Sequence, residues 1–193
     1  AAAGSARGDE PARGRVPAPP GAALSGGAPG GGAAADGPLP RAAPGVRLAV
    51  RAVLVEAGRL LLVNAWPGRQ SDLWCAPGGG AEPGASLPDN LVREVHEETG
   101  LRIAVGAPCL VNEFHDPGRG FHQVEVFFRA RLAAGTGQAP PPGWRDPEGI
   151  VDRMLWATRD EVARLRLKPD SLARIAWQTG DGVSYDPLER LQG

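Results

Sequence analysis

The sequence predicts one α/β domain, and three stretches predict it. Residues 46–63 alternate and turn back as a β-hairpin. Residues 78–101 run from a glycine-rich loop into a short acidic helix, and residues 122–132 alternate as a further strand. At 193 residues the chain is long enough for one domain with a sizeable core. Strands and helices follow one another with no internal repeat, as in α/β proteins.

The first 45 residues stand apart. They hold 14 Ala, 11 Gly and 8 Pro, a composition with almost nothing to bury, so residues 1–45 read as a disordered N-terminal tail and 46–193 as the domain. No basic region precedes an apolar one in the first residues, so no secretory signal is read there.

Order begins at Val46. Val46, Leu48, Val50, Ala52 and Leu54 share one face of a strand, Glu56-Ala57-Gly58 turns the chain, and Arg59 to Val63 returns it. Trp66-Pro67-Gly68 breaks the hairpin, and Leu73 to Ala76 forms a short strand in which Trp74 reads as core. Ser86 is an N-cap, Asp89 can close a capping box with it, Pro88 fits the first turn, and Gly100 supplies a left-handed stop. The helix therefore spans about Leu87 to Thr99, with Leu91, Val92 and Val95 as its apolar stripe.

Beyond it, residues 101–105 and 109–114 read as two strands, and residues 116–120 as a turn. His122 to Leu132 places Val124, Val126 and Phe128 on one face, with Glu125, Phe127 and Arg129 on the other. Residues 133–149 form a long Gly/Pro-rich connection. A strand near Val151 to Ala157 then leads into a helix capped by Thr158 and Glu161, and a last helix covers about Pro169 to Gln178.

The helix after the glycine loop carries the chemistry. Steps of about 100° put Glu94, Glu97 and Glu98 on one face, with Arg93 one turn before Glu97. Three carboxylates near a helix C-terminus repel one another and oppose the helix dipole, an arrangement a hard divalent cation relieves. A solvated acidic face is the bland alternative, and the adjoining glycine loop and Arg93 weigh against it.

These residues resemble the signature box of the Nudix hydrolases, G-x5-E-x7-R-E-U-x-E-E-x-G-U, with U aliphatic. Gly79, Arg93-Glu94, Val95, Glu97-Glu98, Gly100 and Leu101 match, and Ala85 stands where the first Glu belongs. Trp74 to Gly79 resembles the W-x-x-P-G-G approach, and a looser likeness covers about residues 46–180. The resemblance implies an α/β/α sandwich with a mixed β-sheet between helices. It also implies a Mg²⁺-dependent pyrophosphohydrolase (Mn²⁺ as substitute) cleaving the diphosphate bond of a nucleoside diphosphate derivative.

By the same resemblance Glu94 and Glu98 are the principal metal ligands, with Glu97 and the carbonyl of Gly78 or Gly79 completing the site. Arg93 orients the carboxylates, and Glu97, Glu113, Glu125 or Glu148 takes the proton from water. Glu82 is a candidate to replace the carboxylate missing at Ala85. Pro117, 16 residues past Leu101, leans the substrate toward ADP-ribose or another nucleoside diphosphate sugar. The absence of a tyrosine there disfavours dinucleoside polyphosphates, and oxidised nucleoside triphosphates stay open. The alternative is a catalytically impaired module that binds a nucleotide metabolite, with Ala85 as its mark.

Partners are read mainly as absences. With 21 basic against 22 acidic side chains, nothing points to nucleic acid or a membrane surface. No apolar run approaches the ~20 residues a membrane helix needs. Cys75 and Cys109 are too few for a disulfide framework and read as reduced, buried thiols of a cytoplasmic protein. His115 and His122 read as surface or structural, and relatives' habits make a homodimer an expectation.

Overall fold

A computed structural model describes residues 45–69, 71–116, 121–186 and 189–190. The tail expected to be disordered, apart from Gly45, and the turn around Pro117 lie outside the described residues.

Nine strands, counted among the described residues, form one mixed sheet. Strand β1 (Arg47–Glu56) and β2 (Arg59–Asn64) make the predicted hairpin, followed by β3 (Leu73–Cys75). Helix α1 (Leu87–Thr99) has the predicted limits, and Gly100 at φ 70° ends it. After it come β4 (Ile103–Asp116), β5 (Phe121–Leu132), β6 (Met154–Thr158), α2 (Arg159–Val162), β7 (Arg166–Lys168), α3 (Leu172–Ala176), β8 (Ser184–Tyr185) and β9 (Glu189–Arg190). The sheet order is β7-β3-β2-β1-β5-β4-β8, with β6 also on β2 and β9 also on β4.

Each face of the sheet is covered by helix. Leu91 and Val95 of α1 pack on Val50, Ala52, Leu54, Leu61 and Phe128. Val162, Leu172 and Ile175 of α2 and α3 pack with Val53, Leu60, Leu62 and Phe127 on the opposite side. Neighbouring residues of β1 and β2 thus serve opposite cores, as the two-residue period of a strand requires. The architecture is the expected α/β/α sandwich.

Several local expectations are corrected. The two strands expected over residues 101–114 are one strand, β4, with register irregularities between Val105 and Leu110 where Pro108 interrupts the ladder. Val46 and Leu48 are 58% and 40% exposed, because β1 enters the core only from Ala49. Val92 is 39% exposed, since Leu91 and Val95, four residues apart, already form the seam against the sheet. Ser86 Oγ accepts from the Asp89 amide at 3.2 Å, but Asp89 Oδ2 accepts from the Ser86 hydroxyl itself at 2.6 Å. The cap is a hydroxyl–carboxylate pair and not the reciprocal box. At Thr158 the full box with Glu161 does form, though the helix it starts lasts only four residues.

What positions the site is a split beside β1. β1 and β2 pair only through Val55–Leu60 and Glu56–Arg59. Further back, the glycine loop takes over that edge. Val50 N donates to Gly79 O at 2.9 Å, Ala52 N to Pro77 O at 2.8 Å, and Ala81 N to Leu48 O at 2.9 Å. On its other edge β1 runs parallel to β5, from Arg47–Gln123 to Leu54–Ala130. No helix among the described residues is long and apolar enough to cross a membrane.

Candidate active site

The glycine loop is placed by contacts that leave no room for side chains. Gly78 has φ 135°, and a Cβ there would lie 2.1 Å from Val50 O. A Cβ on Gly79 would lie 2.2 Å from Glu94 Oε2. The loop therefore lies directly on β1 and against a carboxylate of α1.

Asn90, 1% exposed, ties loop to helix. Its Oδ1 accepts from Glu82 N at 2.9 Å, and its Nδ2 donates to the carbonyls of Glu82 at 3.2 Å and Ser86 at 3.1 Å. One buried amide thus fixes where α1 begins relative to the loop.

The carboxylates that share one face of α1 in sequence go to different partners. Glu98 Oε2 accepts from the Gly78 amide at 2.7 Å. Glu94 Oε1 accepts from Arg93 Nη2 at 2.9 Å, and Glu97 Oε2 from Arg93 Nη1 at 2.8 Å. Arg93 also donates to Gly80 O at 3.2 Å, so it joins helix, loop and two carboxylates. Glu94 and Glu98 line a cavity of about 640 Å³ bounded by the loop, β1, β5 and β4; Glu97 does not line it.

Behind the loop lies a polar chain of which the sequence singled out only Glu125 and Gly78. Arg47 Nη1 donates to Gln123 Oε1 at 2.6 Å, Gln123 Nε2 to Glu125 Oε1 at 2.9 Å, and Arg51 Nε to the same oxygen at 2.9 Å. Arg51 Nη1 then donates to Gly78 O at 2.5 Å. Of the two carbonyls expected to complete a metal site, that of Gly78 therefore accepts from Arg51 and that of Gly79 from the Val50 amide. Alternating strand positions bring Arg47 and Arg51 of β1 beside Gln123 and Glu125 of β5, which sequence periodicity alone could have flagged as polar residues in a buried run.

Electrostatics mark Glu98. Burial pushes its carboxyl up to about 7, with Glu94 and Asp146 adding to the rise against Arg51 and the Gly78 amide. Glu94 is raised too, by burial first and then by Glu97 and Glu148, against the pull of Arg93. Burial alone would lower the pKa of Arg51, and Glu125, Cys75 and Glu98 more than offset it. Burial pushes the Cys75 thiol up to about 11.

Of the other candidates, Glu125, Glu148 and Glu82 line the cavity, while Glu113 does not. Glu113 accepts from Tyr185 Oη at 2.6 Å and pairs with His122 at 3.1 Å, which together hold its carboxyl below the usual range. His115 lies against His122 with ring centroids 5.2 Å apart and planes tilted by 45°. Trp74 packs against the core with Arg153 over its ring at 5.1 Å. Ala85 is exposed and does not line the cavity. Both cysteines are free.

Among the described residues, no three His, Cys, Asp or Glu side chains converge as a ready metal site. The donor set still suits a hard divalent cation. Glu94 and Glu98 are oxygen donors one helical turn apart, both destabilised as anions, and both lining the cavity.

Comparison with known proteins bears on the family and on the fold. The NUDIX domain model matches residues 45–178. Bacillus subtilis (strain 168) YjhB, provisionally named an ADP-ribose pyrophosphatase, is 28% identical over 92 residues, covering 46% of this chain and 43% of that protein. Human nucleoside diphosphate-linked moiety X motif 6 is 31% identical over 81 residues, 42% of this chain and 26% of its own length. The match thus spans less than half the length of these two curated relatives. A NUDIX hydrolase from Nitrosomonas europaea has a similar fold, with TM-score 0.60 at 20% identity, covering 72% of this chain and 93% of that one. A UDP-X diphosphatase structure gives TM-score 0.54 at 22% identity, covering 74% and 68%.

Proposed function

The chain belongs to the NUDIX domain family, the Nudix hydrolases, and from that premise we propose a Mg²⁺-dependent pyrophosphohydrolase acting on a nucleoside diphosphate derivative. Members of the family generally use divalent metal ions and act on small nucleotide substrates. The observation that carries the reading is the pair Glu94 and Glu98, both lining one cavity beside the glycine loop and both raised in pKa by burial.

Glu94 and Glu98 are the groups that would hold the cation. When bound, such a cation offsets the negative charge of the diphosphate and acidifies water. The chain's own residues supply the rest. Arg93 holds Glu94 and Glu97 by charge-assisted hydrogen bonds, which makes it a positioning residue. The Gly78 amide orients Glu98, and Arg51 fixes the Gly78 peptide from behind. Glu148 is assigned as the general base, because it lines the cavity and its charge acts on Glu94. Glu125 already accepts from Arg51 and Gln123, and Glu113 faces Tyr185 and His122 outside the cavity.

The substrate reading leans to ADP-ribose or another nucleoside diphosphate sugar, supported by the likeness to YjhB. Glu94 and Glu98 line the cavity with Ala85 exposed and away from it, which supports an active enzyme over a binding module. Two free thiols suit a reducing compartment such as the cytoplasm.

The test is a hydrolysis screen with Mg²⁺ and with EDTA over ADP-ribose, other nucleoside diphosphate sugars, dinucleoside polyphosphates, NADH, and normal and oxidised nucleoside triphosphates. Metal-dependent release of a nucleoside monophosphate is the expected result. Silence from folded protein would shift the reading to a binding module.

A further inference from the structure

Asn112 holds a buried amide that the folded chain does not satisfy. It lies on β4 opposite Glu125 of β5 and is 2% exposed, and its Nδ2 has no hydrogen-bond partner. Its ladder neighbour Glu125 turns Oε1 to Arg51 Nε and Gln123 Nε2 instead. A buried donor left unpaired is costly, and a well-packed apolar residue would avoid the cost.

Asn112 lines the same cavity as Glu94 and Glu98. Two residues along the strand, on the same face, stands Phe114. Its ring lies 5.3 Å from that of Phe121, and both rings line the cavity. An N–H donor beside aromatic carbon suits a flat heterocycle with a carbonyl or ring-nitrogen acceptor on its edge.

We propose that Asn112 is a specificity-determining residue that donates from Nδ2 to the edge of the substrate's nucleobase, which packs against Phe114 and Phe121. The base's acceptor supplies the partner that the fold withholds. The inference rests on the hydrolase reading for its substrate, but the base site itself binds product without metal or turnover.

The experiment uses the full chain in EDTA. Calorimetric titration with AMP, GMP, UMP and CMP compares wild type with Asn112→Leu and Asn112→Asp, with thermal melts of each protein. Wild type is expected to favour one base by about tenfold, the weight of one hydrogen bond in a buried site. Asn112→Leu, nearly equal in volume, is expected to melt no lower than wild type and to lose that preference. Asn112→Asp replaces the donor with an acceptor and is expected to bind the preferred base still more weakly. In hydrolysis assays the loss should fall on KM rather than kcat.

Wild type without base preference overturns the proposal. So does an Asn112→Leu protein that keeps the wild-type ranking, and a lowered melting point with that ranking intact marks the amide as structural. A protein that binds bases selectively through Asn112 yet hydrolyses nothing in the panel refutes the enzyme reading alone. One that hydrolyses nucleotides with an unchanged KM in Asn112→Leu refutes the base site alone.

Discussion

Glu98 concentrates the site's electrostatics in one side chain. Its folded pKa is near 7 against an ordinary 4.5, so between those values the folded protein binds more protons than the unfolded chain. Its stabilising contribution is therefore complete below about pH 4.5 and is lost as pH rises through about 7. For metal-free protein this group should cost about 2 kcal/mol between pH 5.5 and pH 8. Urea titrations in EDTA at the two pH values would measure it, and Glu98→Gln should flatten the difference. An equal slope in the variant would remove burial of Glu98 as its cause. With Mg²⁺, Glu94→Gln and Glu98→Gln should each lower kcat by at least about 10²-fold while circular dichroism stays unchanged. Glu148→Gln should cost about 10²- to 10⁴-fold, the range of a lost general base. A near-normal rate in that variant would move the base elsewhere.

Elements hold these side chains through buried polar clamps. Asn90 joins α1 to the glycine loop, and truncating it would strip side-chain partners from Glu82 N and Glu82 O and leave Ser86 O only the Asn90 amide. Asn90→Ala should destabilise the protein by about 2–3 kcal/mol, as a lower urea midpoint at unchanged slope. The connection over residues 133–153 is clamped in the same way. Asp146 accepts from Glu148 N, Ile150 N and Val151 N, and Asn64 accepts from Asp152 N and Arg153 N. Trp144 pins the connection to α1 by donating to Glu97 O at 3.3 Å and lying over Gly100. Because this segment carries Glu148 to the cavity, Trp144→Ala should lower kcat roughly 10- to 100-fold with little change in metal affinity. Kinetics against Mg²⁺ titrations would separate the two effects.

At the scale of the molecule, a cation bound only by the folded state stabilises the whole chain. Mg²⁺ at about 100 times its Kd should add about 2.7 kcal/mol, reversibly with EDTA, and Glu98→Gln should abolish the gain. A melting temperature indifferent to Mg²⁺ would contradict the assignment of Glu94 and Glu98.

Local sequence determined much of this protein. Capping by Ser86, the stop at Gly100 and the spacing from Gly79 to Leu101 are decided by neighbouring residues, so α1 and its carboxylates were legible before any fold. Strand alternation likewise located β1, β2 and β5. Tertiary structure decided what those elements meet. Whether Arg51 meets Gly78 O and Glu125 depends on segments 27 and 74 residues away in sequence. The short β7, β8 and β9 exist because a neighbouring strand edge offers them hydrogen bonds, not because of their own pattern. Asn112 is the sharpest case. On the sequence it is one polar residue in a strand, and only the fold buries it opposite Glu125 with its amide unpaired.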